Sequence, residues 1–402
     1  MNVVETPVTS TAAPISPTPS PAAAAAASSI QATRERIGQL VRAYSKSFPK
    51  GIQTISEKRM AEFVCDVCDI DANVALTEVQ RLWDRRDYVV ELCKNRGIPQ
   101  RTPEWYAIRK MGLTASDLAQ ARNMGAFGSR EQLLRKKLGL EPDGVSSFAL
   151  ETMDHGVLFE AMALRCYRAR RQWVNVYDFG LMPHPTIRGF GASPDGITEW
   201  GRLIEIKCPK SRPLKGEVPI YYYLQMQGQM AVTGLTETDY VETKIEVIDE
   251  DDFLKLDRAE TDWNDCGIAL RFKNTKTQGT KQKYSPENMS PREAHDWANH
   301  MIRKQFAKSE DIELVKKSPW KLVKIDIQTV TFDRDMWDNE CVPAIQSFLA
   351  DMKSGKERID MGLPPWEGYT PPKERVKRAK KMDILPDFES ESESEEEREM
   401  GC

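Results

Sequence analysis

At 402 residues the chain is long enough to bury a sizeable core, as one large domain with additions or as two domains. Its 40% hydrophobic and 29% charged content is ordinary for a soluble globular protein, and no apolar run of about 18 residues marks a membrane span. The net charge of −4 is uneven, because residues 383–402 hold nine acids against Arg398 and leave +4 on the rest, a body compatible with a polyanionic partner without requiring one.

The eight cysteines are too scattered for a disulfide framework. Cys65 and Cys68 form a lone CxxC; a zinc site needs a second pair, and the four histidines lie far off, so a buried helical pair is the simpler reading. With no basic residue before Arg34 and no apolar h-region, a secretory leader is not expected, and the chain is read as intracellular.

Residues 1–29 are mostly Ala, Pro, Ser and Thr, a composition that cannot offset its ordering entropy and is read as a disordered tail. From 30 to 100, Ile37, Leu40, Val41 and Tyr44, then Val79, Leu82, Val89 and Leu92, recur at helical spacing, predicting a helical N-terminal domain. Arg101-Thr102-Pro103-Glu104-Trp105 opens the next unit. Thr114, Ser116 and Asp117 are each able to cap a helix, so this turn is either a plain cap or an anion site. A helix around 155–167 carries Glu160 amid apolar residues, and 181–190 reads as a strand.

Two short strands joined by a turn near Trp200 and Gly201 follow, with Asp195 before the first and Leu203, Glu205 and Lys207 alternating with Ile204 and Ile206 on the second. The alternation predicts isoleucines toward the core and Glu205 and Lys207 on the open face. Two converging carboxylates suit a hard divalent cation such as Mg²⁺, and a lysine beside them suits a water or a phosphate; the plainer reading is a surface hairpin with a solvated Glu–Lys pair.

Residues 219–234 read as a helix ended by Gly234, with Gln225 and Gln229 on one face, and 239–247 as a strand. An insertion at 248–317 includes a basic stretch, 271–283, read as a loop that tracks phosphates or is merely solvated, and a capping box, Ser290-Pro291-Arg292-Glu293, before a helix. A strand at 320–332 and a helix at 337–352 close the globular part, with 318–356 completing the core and 357–402 an extended tail. Six basic residues between Lys373 and Lys381 resemble a nuclear-localisation patch, and Ser390, Ser392 and Ser394 each precede an acid by three residues, as acidophilic kinase sites do.

Taken in order, these pieces resemble the phage lambda exonuclease and YqaJ-like viral recombinase family of the PD-(D/E)xK nucleases. The resemblance is carried by Trp105, Arg109 and Gly112-Leu113-Thr114-Ala115-Ser116, by Gly156 to Glu160, by Ser193-Pro194-Asp195-Gly196, by Glu205-Ile206-Lys207-Cys208-Pro209, and by the helix of Gln225. It covers about 101–247 together with the strand and helix at 318–352, and implies an α/β (α+β) restriction-endonuclease-like core, a central mixed sheet flanked by helices, behind the N-terminal helical domain. By this resemblance Asp195, Glu205 and the Ile206 carbonyl bind Mg²⁺, with Mn²⁺ substituting, and Glu160 adds a further carboxylate. Lys207 positions the attacking water, Gln225 supports it, and Arg109, Ser116, Ser193 and, with a one-residue shift, Arg212 grip a 5′ phosphate. The implied activity is a Mg²⁺-dependent 5′-to-3′ exodeoxyribonuclease on linear duplex DNA that leaves 3′ overhangs for recombination or repair. The alternatives are an endonuclease or a broad alkaline nuclease acting on DNA and RNA, and a DNA-end scaffold without chemistry. A homotrimer, a single-strand annealing protein as partner, and a host nuclear or viral replication site are further implications, and a large DNA virus is the implied source.

Overall fold

The computed structural model describes residues 36–41, 57–68, 70–126, 128–141, 147–171 and 174–371. The expected N-terminal tail, the basic patch and the serine sites lie outside the described residues.

The chain divides after Leu82 into two units. In the first, α1 (Glu57–Cys68) and the start of α2 (Ala72–Leu92) bury Met60 and Val64, then Ala75 and Val79, each pair one helical turn apart. The CxxC thiols are half-buried on α1, with Cys65 donating to the Ile70 carbonyl at 3.0 Å. Among the described residues no group of His, Cys, Asp and Glu forms a metal cluster there.

The second unit contains helices α3 (Pro103–Met111), α4 (Leu118–Ala121), α5 (Arg130–Lys137), α6 (Ser147–Arg170), α7 (Ile220–Thr233), α8 (Glu250–Leu254), α9 (Pro291–Lys308) and α10 (Val342–Asp360). A small sheet joins β1 (Leu113–Thr114), β3 (Met182–Pro183) and β4 (Phe190–Ala192) in the order β1-β4-β3. The main sheet joins β2 (Val176–Tyr177), β5 (Gly196–Thr198), β6 (Leu203–Lys207), β7 (Glu237–Val247), β8 (Cys266–Asn274), β9 (Thr280–Tyr284) and β10 (Ile312–Thr331). Its order is β2-β5-β6-β7-β10-β8-β9, antiparallel throughout except for the parallel pair β6–β7. This is the central mixed sheet flanked by helices that the sequence implied.

Three sequence expectations need correction. Glu205 does not face the open side: Leu203, Ile204 and Glu205 are all 0% exposed. A parallel pair in mid-sheet needs a helical crossover, and helices cover both of its faces, α6 on one and α7 on the other. The expected strand at 181–190 is two strands, because His184 Nδ1 accepts from the amides of Thr186 (3.2 Å) and Ile187 (3.0 Å) and bends the chain between them. The basic stretch 271–283 is no loop but most of the β8–β9 hairpin, where Lys281 and Lys283 on the outermost strand pair with Phe272 and Leu270, which pack in a small core with Phe253, Ile268, Ala294 and Ala298. Lysines on an outermost strand also discourage edge-to-edge pairing.

Glycine lets α7 dock on the small sheet. A Cβ at Gly228 would sit 2.9 Å from the Ala115 Cβ and 3.2 Å from Phe190 Cζ, so the helix reaches the turn after β1 only without a side chain there. Gly234 ends this helix in the left-handed region, φ 72°, its N–H bonded to the Met230 carbonyl.

An ionic network ties the sheet's far end together. Glu237 meets Arg85 (3.0 Å) and Arg202 (2.9 Å), while the fully buried Asp239 accepts from Tyr167 Oη (2.9 Å), Thr329 Oγ1 (2.7 Å) and Arg171 (3.1 Å). Burial alone would raise the Glu237 carboxyl, but Arg85 and then Arg202 outweigh it and hold its pKa at about 2, against the usual 4.5. A carboxyl depressed on folding contributes stability in full above its unfolded pKa and loses it as pH falls through the folded one. About 3 kcal/mol should therefore drain between roughly pH 5 and pH 2. Urea midpoints at pH 3 and pH 7 should show a smaller acid loss in Glu237→Gln than in the wild type; equal losses would remove Glu237 as the cause.

Candidate active site

The turn Ser193-Pro194-Asp195 joins the small sheet to the large one, and Gln100 Nε2 steadies it by donating to the carbonyls of Pro194 (3.0 Å) and Phe179 (2.9 Å). Asp195 Oδ2 accepts from the Ile206 amide at 2.7 Å, which sets it against the next strand beside Ile206, the residue between Glu205 and Lys207.

Glu205 is engaged on both oxygens. Its Oε1 accepts from Lys207 Nζ and from Gln225 Nε2 (2.7 Å), and its Oε2 accepts from Gln229 Nε2 (2.6 Å). Gln225 and Gln229, one helical turn apart on α7, thus hold the carboxylate from above. Tyr222, three residues earlier, places its ring 4.6 Å from the Lys207 ammonium. Burial works against the Lys207 charge, yet Glu205 and Asp195 outweigh it and raise the pKa, so the ammonium is permanent near neutral pH. Asp195 is instead pushed toward its neutral form: burial first, then the charges of Glu205 and Glu160, lift its carboxyl well above the ordinary range.

Glu160 of α6 pairs with Arg101 at 2.8 Å, and Arg101 itself holds a left-handed backbone, φ 64°. Among the described residues no three His, Cys, Asp or Glu side chains are gathered as a complete metal cage. The donor set nonetheless fits Mg²⁺, which binds through one or two carboxylates and keeps waters and substrate oxygens as its other ligands. The raised Asp195 is the sign of that fit, since two buried carboxylates with one lysine between them leave negative charge for a cation to neutralise.

The residues expected to grip a phosphate are mostly brought together. Arg109 Nη2 donates to Ser116 Oγ (3.1 Å), its guanidinium lies 4.2 Å from the Trp105 ring centroid, and the Trp105 indole donates to Ser193 Oγ (3.0 Å). The fourth, Arg212, is not in this group. Its guanidinium is held by the buried Glu242 of β7, whose Oε1 also accepts from Tyr240 Oη (2.9 Å).

The sequence reading left Gln229 out of the site, although its four-residue spacing from Gln225 was the signal that could have included it. It also missed Tyr222, Gln100 and Arg101, whose roles depend on contacts across 15 to 94 positions of chain that no local pattern encodes.

Comparison with known proteins adds the following. Residues 104–236 match the family model of the YqaJ-like viral recombinase domain. Over 287 residues the chain is 27% identical to an uncharacterized protein of Acanthamoeba polyphaga mimivirus, covering 62% of this chain and 51% of that protein. The chain therefore spans about half the length of this curated relative. Among solved structures it is similar to an alkaline exonuclease from Laribacter hongkongensis (TM-score 0.39, 23% identity, 65% of this chain and 97% of that one). It is also similar to a phage-related exonuclease from Haemophilus somnus (TM-score 0.33, 11% identity, 62% and 98%). No helix among the described residues is long and apolar enough to cross a membrane. The match lies over the turn of Ser116, the carboxylates and the glutamine helix, so that residues 104–236 are similar to a YqaJ-like viral recombinase domain.

Proposed function

We propose that the chain is a Mg²⁺-dependent exodeoxyribonuclease that degrades one strand of linear duplex DNA from 5′-phosphorylated ends, leaving 3′ overhangs. One observation carries the reading: Ser193 belongs at once to the Arg109–Ser116–Trp105 cluster and to the turn that bears Asp195. Two residues of extended chain span at most about 7 Å, the scale of a single nucleotide step. A terminal phosphate held by Arg109 and the serine hydroxyls thereby brings the next phosphodiester to the carboxylate pair.

In this reading Asp195 and Glu205 would hold Mg²⁺, which would supply positive charge to stabilise the developing anion and to activate water. Gln225 and Gln229 keep the Glu205 carboxylate from rotating, so it meets the substrate already oriented. The Lys207 ammonium orients the attacking water and balances charge on the phosphate. Water oxygen attacks phosphorus, the 3′ oxygen of the leaving nucleotide departs with the bonding pair and takes up a proton, and a 5′-mononucleotide is released.

The direct test is a linear duplex labelled at one 5′ end, phosphorylated or not, beside a closed circle, with Mg²⁺ or with EDTA. The expected result is early release of label, faster from phosphorylated ends, only with Mg²⁺, and an intact circle. Cut circles would point to an endonuclease, and no cleavage of any substrate would end the enzymatic reading.

A further inference from the structure

The last turn of α5 carries Arg135, Lys136 and Lys137, a run that reads as a solvated helix end favourable to the helix dipole. Lys137 behaves otherwise. Its side chain is only 7% exposed, and its Nζ makes two 2.7 Å bonds, to Asp117 Oδ2 and to the Arg109 carbonyl. The same Asp117 oxygen accepts from the Thr114 amide (3.0 Å) and hydroxyl (2.8 Å), and the Thr114 hydroxyl lies 3.0 Å from Ser116 Oγ. One ammonium thus joins the last turn of α3, which carries Arg109, to the turn that carries Ser116.

We propose that Lys137 is a positioning residue of the terminal-phosphate pocket, bridging the Arg109 backbone to Asp117 and neutralising that carboxylate so the pocket accepts a 5′-phosphate in preference to a 5′-hydroxyl. This rests on the end-directed reading given above. Without Lys137, Asp117 is an unmatched negative charge beside the pocket, which competes for the Arg109 guanidinium and repels a phosphate dianion. Both effects fall on a phosphorylated end and neither on a hydroxyl end. A general loosening of the fold would weaken both ends alike.

The test is binding without cleavage. Two duplexes identical except for a 5′-phosphate or a 5′-hydroxyl, each with a 3′ fluorophore, are titrated with protein in EDTA and followed by anisotropy. Wild type should favour the phosphate. Lys137→Met should lower that preference about tenfold, the effect of one charge-assisted contact, with hydroxyl-end affinity within about twofold. Preference kept by the variant, or equal weakening of both ends, would overturn the inference. Absence of any preference in the wild type would instead overturn the end-directed reading itself, and the inference with it. If Lys137→Met lacks a cooperative melt, Lys137→Gln, which keeps a donor but loses the charge, is judged by the same criteria.

Discussion

Lys207→Met is expected to lower single-turnover cleavage of duplex DNA by about a thousandfold while leaving duplex binding in EDTA nearly unchanged. The magnitude follows from what one preorganised charge contributes to a developing anion in a shielded site, about 10²–10³-fold, with some addition for orienting the water. The geometry argues for the upper end. The ammonium is held by Glu205 and covered by the Tyr222 ring, so it pays no reorganisation when the substrate arrives. Methionine fills nearly the same volume and keeps the contact with Tyr222, so a fall in rate reports charge and not packing. Glu205 also loses one of its three donors, while Gln225 and Gln229 still hold both of its oxygens. A variant that cleaves within tenfold of wild type would remove Lys207 from the chemistry and leave it as a structural partner of Glu205.

The residues that could be found from sequence are those whose chemistry is concentrated in short motifs. Asp195, Glu205 and Lys207 sit on one turn and one five-residue strand, so local spacing already gathers them. Arg109 and Ser116 are seven positions apart, yet only the structure shows that Trp105 joins them to Ser193, 88 positions from Trp105. The face of Glu205 was misjudged because alternation describes a sheet covered on one side, whereas β6 is covered on both. A strand start at Trp320 falls short of the observed β10, which runs from Ile312 through Pro319, a residue seldom found in a strand interior. Here Pro319 stands where the ladder with β7 ends, its carbonyl still accepting from the Ile248 amide at 3.0 Å, so the missing N–H removes at most the last bond of that ladder. Lys137 gave no local signal at all. A lysine in a basic helix end looks the same whether it turns outward or inward, and only the tertiary position of Asp117 decides.

Arg165→Met should destabilise the protein by about 4 kcal/mol, the largest stability effect expected of any single polar substitution in the second unit. Arg165 lies on α6 and is 5% exposed, and no carboxylate forms an ion pair with it among the described residues. It donates instead to four carbonyls: Asn264 (3.1 Å), Ser285 (3.0 Å), Pro286 (3.2 Å) and Cys266. Its guanidinium also lies 4.9 Å from the Trp320 ring centroid. These carbonyls flank β8 and the end of β9, so one side chain fastens the 248–317 segment to the helix that carries Glu160. Methionine removes the cost of burying a charge, and that gain limits the loss. It leaves four carbonyls short of a donor, however, each costing about 1–3 kcal/mol where water cannot reach. Lysine can satisfy at most three of them and lacks the planar fork, so Arg165→Lys should recover less than half of the loss. Urea denaturation of the three proteins, with slopes compared to exclude a change in the unfolded state, measures this directly. A Met variant within about 1 kcal/mol of wild type would mean that water replaces the guanidinium, and that the hairpin is held by its own small core around Phe253, Phe272 and Ala298.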